Sequence, residues 1–415
     1  MRRIVITGLG TLTPLGLETE TVWQRLLAGQ CGISPVRSFD TASYFSASNP
    51  SGSNVYLGGE VHDFEPETDL ENLDPASMGR ASQLAVAAAR RAFADSALDA
   101  SSLEPWRCGV AMGTTSGEPR EVEHYNDLRA AGDLGPVAGE LANRYPCHVI
   151  AGQVAAELGF AGPNSMIPAA CAAGNYALAR AFDALRAGRT DVMLAGGADA
   201  FSRITYTGFA RLGAIAPEMC QPFDRNRRGM VPGEGAAVLV LETLERALER
   251  GAPRIYAEVA GYGLSCDAHH MTAALPDGSG AARAMVAAMR HAGVTPDDID
   301  YVSAHGTGTP TNDTLETRAL EHAFGSSARR KPVSSIKSMI GHTMGAASAI
   351  EAAVCALTLS EGFVPPTINF TEPDPDCAVD CVPNEARELA ARVVMNNASA
   401  FGGNNASVIF RRCEP

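Results

Sequence analysis

A chain of 415 residues is longer than one hydrophobic core usually supports, so two core units are expected. A hydrophobic fraction of 46% and a charged fraction of 19% exclude general disorder and suit a globular enzyme. The net charge of −14, from 33 basic and 47 acidic residues, disfavours non-specific binding to nucleic acid or anionic membrane.

No stretch reads as the run of ~20 apolar residues that a membrane span needs. The opening Met1-Arg-Arg-Ile-Val-Ile-Thr runs directly into Thr7-Gly8-Leu9-Gly10, which suits a buried first strand and not an export signal. The expected location is therefore the reducing cytoplasm, with the ten scattered cysteines as free thiols. Cys377 and Cys381 stand four apart without a second ligand pair, so no metal is expected there.

In chain order, strand-like and helix-like runs alternate. Arg3–Thr7 is a short β-branched run. Gly8-Leu-Gly10 lacks the third glycine of a dinucleotide fingerprint and reads as a closely packed turn. Residues 42–59, rich in Ser, Asn and Gly, and 117–145 read as surface excursions close to a binding surface. Ser82–Ser96 is an Ala-rich helix between them, and Cys108–Gly113 and Asp191–Ala195 are buried strands closed by glycine. A second series follows: strand Ile255–Ala260, helix Ala281–Ala292, strand Ile299–Ala304, helix Thr314–Phe324, strand Pro332–Ile336 and helix Ala346–Ser360. The alternation predicts an α/β protein of layered helices and sheets. Two similar halves are expected, 1–253 and 254–415, although no repeat is legible residue by residue.

Three remote segments carry chemistry. Cys171, in Pro168-Ala-Ala-Cys171-Ala-Ala-Gly174, opens an Ala-rich helix with Leu178, Phe182 and Leu185 on one face. A helix N-terminus favours the thiolate and lowers its pKa. A buried, inert cysteine would look the same locally, and the histidines decide between the two. His305 ends a strand-like run and enters Gly306-Thr-Gly-Thr-Pro310. His342 closes Lys337-Ser-Met-Ile-Gly-His342 before an apolar helix. Asp313 with Glu316 resembles a helix-opening capping pair. The other histidines, His124, His148, His269, His270, His291 and His322, lack this setting, with a reservation for His270.

With these residues in view, the chain resembles the β-ketoacyl-[acyl carrier protein] synthases of the type II elongating class, in the thiolase-like superfamily. The resemblance runs nearly end to end. It takes in Ile6-Thr-Gly-Leu-Gly10, the Cys171 elbow, Asp191-Val-Met-Leu-Ala-Gly-Gly-Ala198, Pro222-Phe-Asp-Arg225 and Gly233-Glu-Gly235. It continues through Ala304–Pro310, Lys337–His342, Pro365-Pro-Thr-Ile368 and Phe401-Gly-Gly-Asn-Asn405. It implies a five-layered αβαβα fold of two similar halves and a homodimer, or a dimer with a related ketosynthase-like subunit. It also implies decarboxylative Claisen condensation on substrates carried by the phosphopantetheine arm of acyl carrier protein, with no metal or bound cofactor.

By the same resemblance Cys171 is the nucleophile, and His305 and His342 donate to the malonyl thioester oxygen. Lys337 and Glu351 organise the histidines, and the backbone N–H of Phe401 joins that of Cys171 in an oxyanion hole. Thr307 and Thr309 hold the phosphopantetheine arm. A degradative thiolase would carry a second catalytic cysteine in the loop Phe401–Asn405, which has none. Initiating synthases pair cysteine with His and Asn. A non-catalytic chain-length partner, the alternative of another class, lacks the nucleophile.

The chain departs from the elongating pattern at Ser399-Ala400-Phe401-Gly-Gly-Asn404, where Phe-Gly-Phe-Gly-Gly-Thr is common, and at Ser116, where a bulky aliphatic residue often limits the acyl pocket. These departures favour polyketide or other specialised chains over primary fatty-acid elongation, which remains the alternative. The usual basic docking stretch is replaced by acidic Glu65–Asp74. Arg80, Arg120, Arg129, Arg203 and Arg211 are the candidate contacts for an acidic carrier.

Overall fold

The protein is described by a computed structural model covering residues 2–41, 56–135 and 137–414. Most of the expected excursion 42–59 lies outside the described residues.

The first half carries the strands β1 (Ile4–Leu12), β2 (Cys108–Gly113), β3 (Asn164–Ile167), β4 (Val192–Asp199) and β5 (Gly235–Thr243). Its helices include α1 (Arg80–Asp95), α2 (Pro119–Ala131), α3 (Val137–Arg144), α4 (His148–Leu158), α5 (Ala173–Arg186) and α6 (Arg203–Arg211). The second half carries β6 (Ala257–Cys266), α7 (Ser279–Ala292), β7 (Tyr301–Ser303), α8 (Pro310–Phe324) and β8 (Val333–Ser334). It ends with α9 (Ala347–Glu361), β9 (Val393–Ser399) and β10 (Asn404–Arg411). The excursion 117–145 thus folds largely into α2 and α3.

The ten strands run in the order β8-β7-β9-β10-β6-β1-β5-β4-β2-β3. Outward from the centre, the orders β1-β5-β4-β2-β3 and β6-β10-β9-β7-β8 have the same sense: two antiparallel neighbours, then two parallel ones. The halves join through a short antiparallel ladder that pairs Ile4, Val5 and Ile6 with Val259, Glu258 and Ala257. Each half therefore repeats one β-sheet plan, which the alternation of elements predicted. Helices α5 and α9 pack on each other and on strands, forming the middle layer; α1 covers β1 and α7 covers β6 from outside.

Glycine sets the distance between these layers. A Cβ on Gly10 would lie 2.0 Å from the Ala88 carbonyl oxygen, and one on Gly263 would lie 2.1 Å from that of Ala284. Gly8-Leu-Gly10 is therefore no turn. It lies inside β1, where helix α1 rests directly on strand backbone. Gly196-Gly197 also lies within a strand, with a Gly196 Cβ 2.0 Å from the Ala237 carbonyl oxygen.

The stretch Met344–Glu361, 18 residues, does reach the length and apolarity of a membrane span, contrary to the sequence expectation, and 89% of it is buried. A helix apolar on every side suits burial between layers as well as lipid. Here it is the core helix α9, with Glu351 buried inside it.

Candidate active site

The two halves repeat one turn and decorate it differently. Ala170 has φ +49° and heads the 3-10 turn Ala170–Ala172 before α5. Met344 has φ +53° and heads Met344–Ala346 before α9. Left-handed backbone at a residue with a Cβ costs roughly 1–3 kcal/mol, so both turns are held by their surroundings. The position after the strained residue is Cys171 in the first half and Gly345 in the second. A Cβ at Gly345 would lie 2.5 Å from the Thr114 carbonyl carbon and 2.6 Å from Asp199 Oδ2. The second copy thus packs its turn directly on Thr114 and Asp199, while His342 stands just before that turn.

Across the middle layer, His342 Nε2 lies 3.1 Å from Cys171 Sγ. The His305 and His342 rings meet edge to face, with centroids 5.4 Å apart. One donor atom from each of Cys171, His305 and His342 falls within 4.8 Å of the others. All three emerge where strands β3, β7 and β8 give way to helices, the usual mouth of parallel-sheet sites. Exposures of 8% for Cys171, 5% for His305 and 2% for His342 put the group almost wholly inside the protein.

This placement decides the protonation. Burial pushes the Cys171 thiol up to about 12, against the pull of the Lys337 charge. Desolvation of the thiolate acts against the lowering expected of a helix terminus. Both histidines are held well below 6.5, by burial first and then by Lys337, so they are neutral at physiological pH. Their Nδ1 atoms are buried without a hydrogen-bond partner. An unpaired lone pair costs less there than an unpaired N–H, so the proton belongs on Nε2.

Lys337 Nζ pairs with Glu351 in full burial. Burial raises the Glu351 carboxyl and Lys337 pulls it back. Removing either partner would strand a buried charge, at roughly 3–5 kcal/mol.

Thr307 and Thr309 lie in the His305 loop. Their hydroxyls are 2.9 Å apart, and Thr309 accepts from the Asn312 N–H at 3.3 Å, so Thr309 is the cap of α8. Asp313 and Glu316 are therefore not the expected capping pair. Both are buried and hold loops. Glu316 accepts from the His305 N–H at 2.7 Å, the Gly306 N–H at 2.7 Å and Asn397 Nδ2 at 2.8 Å. Asp313 accepts from the Phe223 N–H at 2.8 Å and the Gly308 N–H at 3.2 Å.

Sequence reasoning also missed Asp199 at the end of β4. It accepts from the Thr114 hydroxyl and the N–H groups of Thr115, Ser116 and Gly345 at 2.7–3.0 Å, tying β2's exit to the turn after His342. Burial pushes it up to about 6 despite these donors. Nothing in periodicity marks a buried carboxylate; the only signal was an acid directly after a glycine-rich strand.

The remaining candidates divide. Ala400 packs with Ala172, Ala398 and Ala406, so its loop lies beside the Cys171 turn. Its φ of −142° and ψ of 158° suit any residue, and the left-handed positions fall on Gly402 and Gly403. Ser399, half-buried, ends β9. The Phe401 ring, 41% exposed, lies 5.7 Å from Phe209. The N–H groups of Cys171 and Phe401 precede the first bonded donor of their 3-10 turns, so neither is used within its turn. Ser116 is half-buried at the Asp199 cluster. His270 stands apart on an exposed loop, its Nδ1 accepting from the Thr272 and Ala273 N–H groups.

Of the arginines, Arg80 and Arg120 turn inward to buried Glu234, at 3.1 and 3.3 Å. Although burial alone would raise Glu234, these guanidiniums hold it below the usual carboxylate range. Arg203 pairs with Asp127 at 2.8 Å, and Arg129 and Arg211 are exposed.

Residues 1–247 match the family Beta-ketoacyl synthase, N-terminal domain, and residues 256–371 match Beta-ketoacyl synthase, C-terminal domain. A 3-oxoacyl-[acyl-carrier-protein] synthase 2 of Staphylococcus aureus (strain COL) is 39% identical over 423 residues, covering 100% of this chain and 99% of that protein. The solved ishigamide ketosynthase/chain length factor is 43% identical with a TM-score of 0.93 and full coverage of both chains. A type II polyketide acyl-carrier protein in complex with its ketosynthase bound to the hexaketide includes a chain 32% identical, TM-score 0.89, covering 99% of this chain and 100% of that one.

Proposed function

The chain belongs to the β-ketoacyl synthases, acyltransferase-class condensing enzymes of thiolase-like fold, and on that premise we propose that it condenses an acyl group held on Cys171 with malonyl acyl carrier protein. The observation that carries this reading is the 3.1 Å approach of His342 Nε2 to Cys171 Sγ, with His305 buried beside them.

In the loading step, a bond forms between Cys171 Sγ and the acyl carbonyl carbon. The carrier's C–S bond breaks, and the thiol proton leaves with the departing carrier thiolate. A thioester on sulfur stays reactive toward carbon, which suits storage before condensation. In the second step the malonyl C–C bond breaks and CO₂ departs. The Nε2–H groups of His305 and His342 meet the charge that builds on the thioester oxygen. Each such donor is worth roughly 2.7–4 kcal/mol in comparable oxyanion sites.

The enolate carbon then attacks the acyl-cysteine carbonyl, with its oxyanion received by the N–H groups of Cys171 and Phe401. Collapse frees the Cys171 thiolate, which takes up one proton. Lys337 and Glu351 orient the histidines without reacting, and Thr307 and Thr309 hold the phosphopantetheine arm. No electrons change hands, so the chemistry needs no redox group, and the prosthetic arm arrives on the carrier.

The substrate is a polyketide-like or otherwise specialised chain. The Ser399-Ala400 departure and the half-buried Ser116 support this, as does 43% identity to a ketosynthase/chain length factor. The same likeness supports pairing with a second ketosynthase-like subunit, this chain being the one that carries the nucleophile; a homodimer is the alternative. Exposed Arg129 and Arg211, with Arg203, are the better-placed contacts for an acidic carrier, because Arg80 and Arg120 are committed to Glu234.

Intact-mass measurement after exposure to a panel of acyl carriers tests this reading. Wild type gains one acyl mass, largest for unsaturated or polyketide-like chains, and Cys171→Ala gains none. Equal or faster loading of saturated fatty chains would return the enzyme to primary fatty-acid elongation. Acylation of the Cys171→Ala protein would remove Cys171 from its role.

A further inference from the structure

The synthase reaction uses Cys171, His305 and His342 as nucleophile and donors. The same three side chains are also one thiol and two imidazoles buried together, a ligand set that borderline-soft divalent ions prefer. Among the described residues, no other three His, Cys, Asp or Glu side chains gather their donor atoms so closely. We propose that this trio is a binding site for a thiophilic divalent cation, Zn²⁺ in particular, and that the ion blocks the enzyme reversibly.

The geometry needs little change. A tetrahedral zinc ion with one sulfur and two nitrogen ligands places those atoms roughly 3.5 Å apart. Here Cys171 Sγ and His342 Nε2 stand 3.1 Å apart, and all three donor atoms lie within 4.8 Å. Ring rotations that draw the wider pairs in by up to roughly 1.3 Å and let the 3.1 Å pair open slightly close the set. The fourth position would hold water. Lys337 is close, but its charge is matched by Glu351, so the pocket does not repel a cation outright. On binding, the sulfur–metal bond forms and the thiol proton passes to solvent, while each imidazole shifts its proton from Nε2 to Nδ1 so that the freed Nε2 lone pairs replace metal-bound waters.

The surroundings mark the site as inhibitory. Resident zinc sites give each ligand histidine an acceptor for its second nitrogen, and that support is worth roughly 10–100-fold in affinity. Here Nδ1 of both histidines is unpartnered, so the ion is held weakly enough for a chelator to remove it. An acyl group on Cys171 takes away the sulfur ligand, so the block falls on the unloaded enzyme and spares the acylated one.

The test is titration of the purified full chain with Co²⁺, whose bond to thiolate absorbs light, and with Zn²⁺ in competition. A thiolate-to-cobalt band should appear with a stoichiometry of one, be displaced by Zn²⁺ and vanish on adding EDTA. It should be absent from protein first alkylated at Cys171 with iodoacetamide, which needs no variant to fold. His305→Asn should weaken binding on the order of tenfold or more. Zn²⁺ should also slow alkylation of Cys171, a readout independent of synthase activity. A band that survives alkylation of Cys171, or zinc that leaves the alkylation rate unchanged, would place the metal elsewhere and overturn the inference.

Discussion

At the residue scale, one sulfur is kept protonated by the same burial that keeps two imidazoles neutral. The thiol is pushed up to about 12 and the histidines lie well below 6.5, so at neutral pH all three are uncharged. The signs lead to a pH prediction. Alkylation of Cys171 by iodoacetamide requires the thiolate, whose fraction grows about tenfold per pH unit below the thiol's pKa. The rate should therefore climb from pH 7 to pH 10 without levelling; a plateau near neutrality would show a thiolate already formed by the helix terminus. The sequence marked Cys171, His305 and His342, the groups we propose to react, because each sits in a small-residue turn that periodic structure does not require. It did not reveal Asp199, Glu316 or Glu234, whose roles depend on backbone N–H groups brought near by the fold. It did not show that Arg80 and Arg120 pair with Glu234, because a sequence cannot say which arginine has a buried carboxylate waiting.

At the element scale, strand glycines let helices rest on bare backbone, and each half has such a glycine pair under its outer helix. Gly8 and Gly10 lie under Ala88 and Ala92, and Gly261 and Gly263 lie under Ala284, Ala288 and Ala292. Gly10→Ala and Gly263→Ala should each cost roughly 1–3 kcal/mol by overpacking, read as a lower midpoint in urea. Gly152→Ala in α4, where an added Cβ meets nothing within 4 Å, should stabilise by about 0.5–1 kcal/mol. Equal effects at all three sites would contradict the close-approach argument. The alternating elements were legible because their apolar periods are strong. The repeated Gly-x-Gly was visible as letters, yet its reading as a turn failed because one glycine pair fits a turn and a close approach equally well. Strand β5 and the pair β9–β10 were not read as strands, since nearly continuous burial leaves no alternation to detect.

At the scale of the whole molecule, two copies of one topology make a site that neither holds alone. The first supplies Cys171 and the second both histidines, and α5 and α9 meet between them. We place the boundary between the halves near residue 253. Helix α9 is buried on nearly every face, so separating the halves would expose an apolar surface with nothing to cover it. Residues 1–253 and 254–415 expressed apart should show no cooperative thermal transition; independent folding of either would contradict a shared core. The duplication was legible as a rhythm of elements, while the convergence of remote residues needed the family resemblance. The most direct test measures acyl loading and CO₂ release from malonyl carrier side by side in His305→Ala and His342→Ala proteins. The expected result is loading close to wild type with CO₂ release reduced on the order of 10²–10³-fold. Release at the wild-type rate in both proteins, or loading lost in proportion to release, would contradict the division of labour between the sulfur and the two imidazoles.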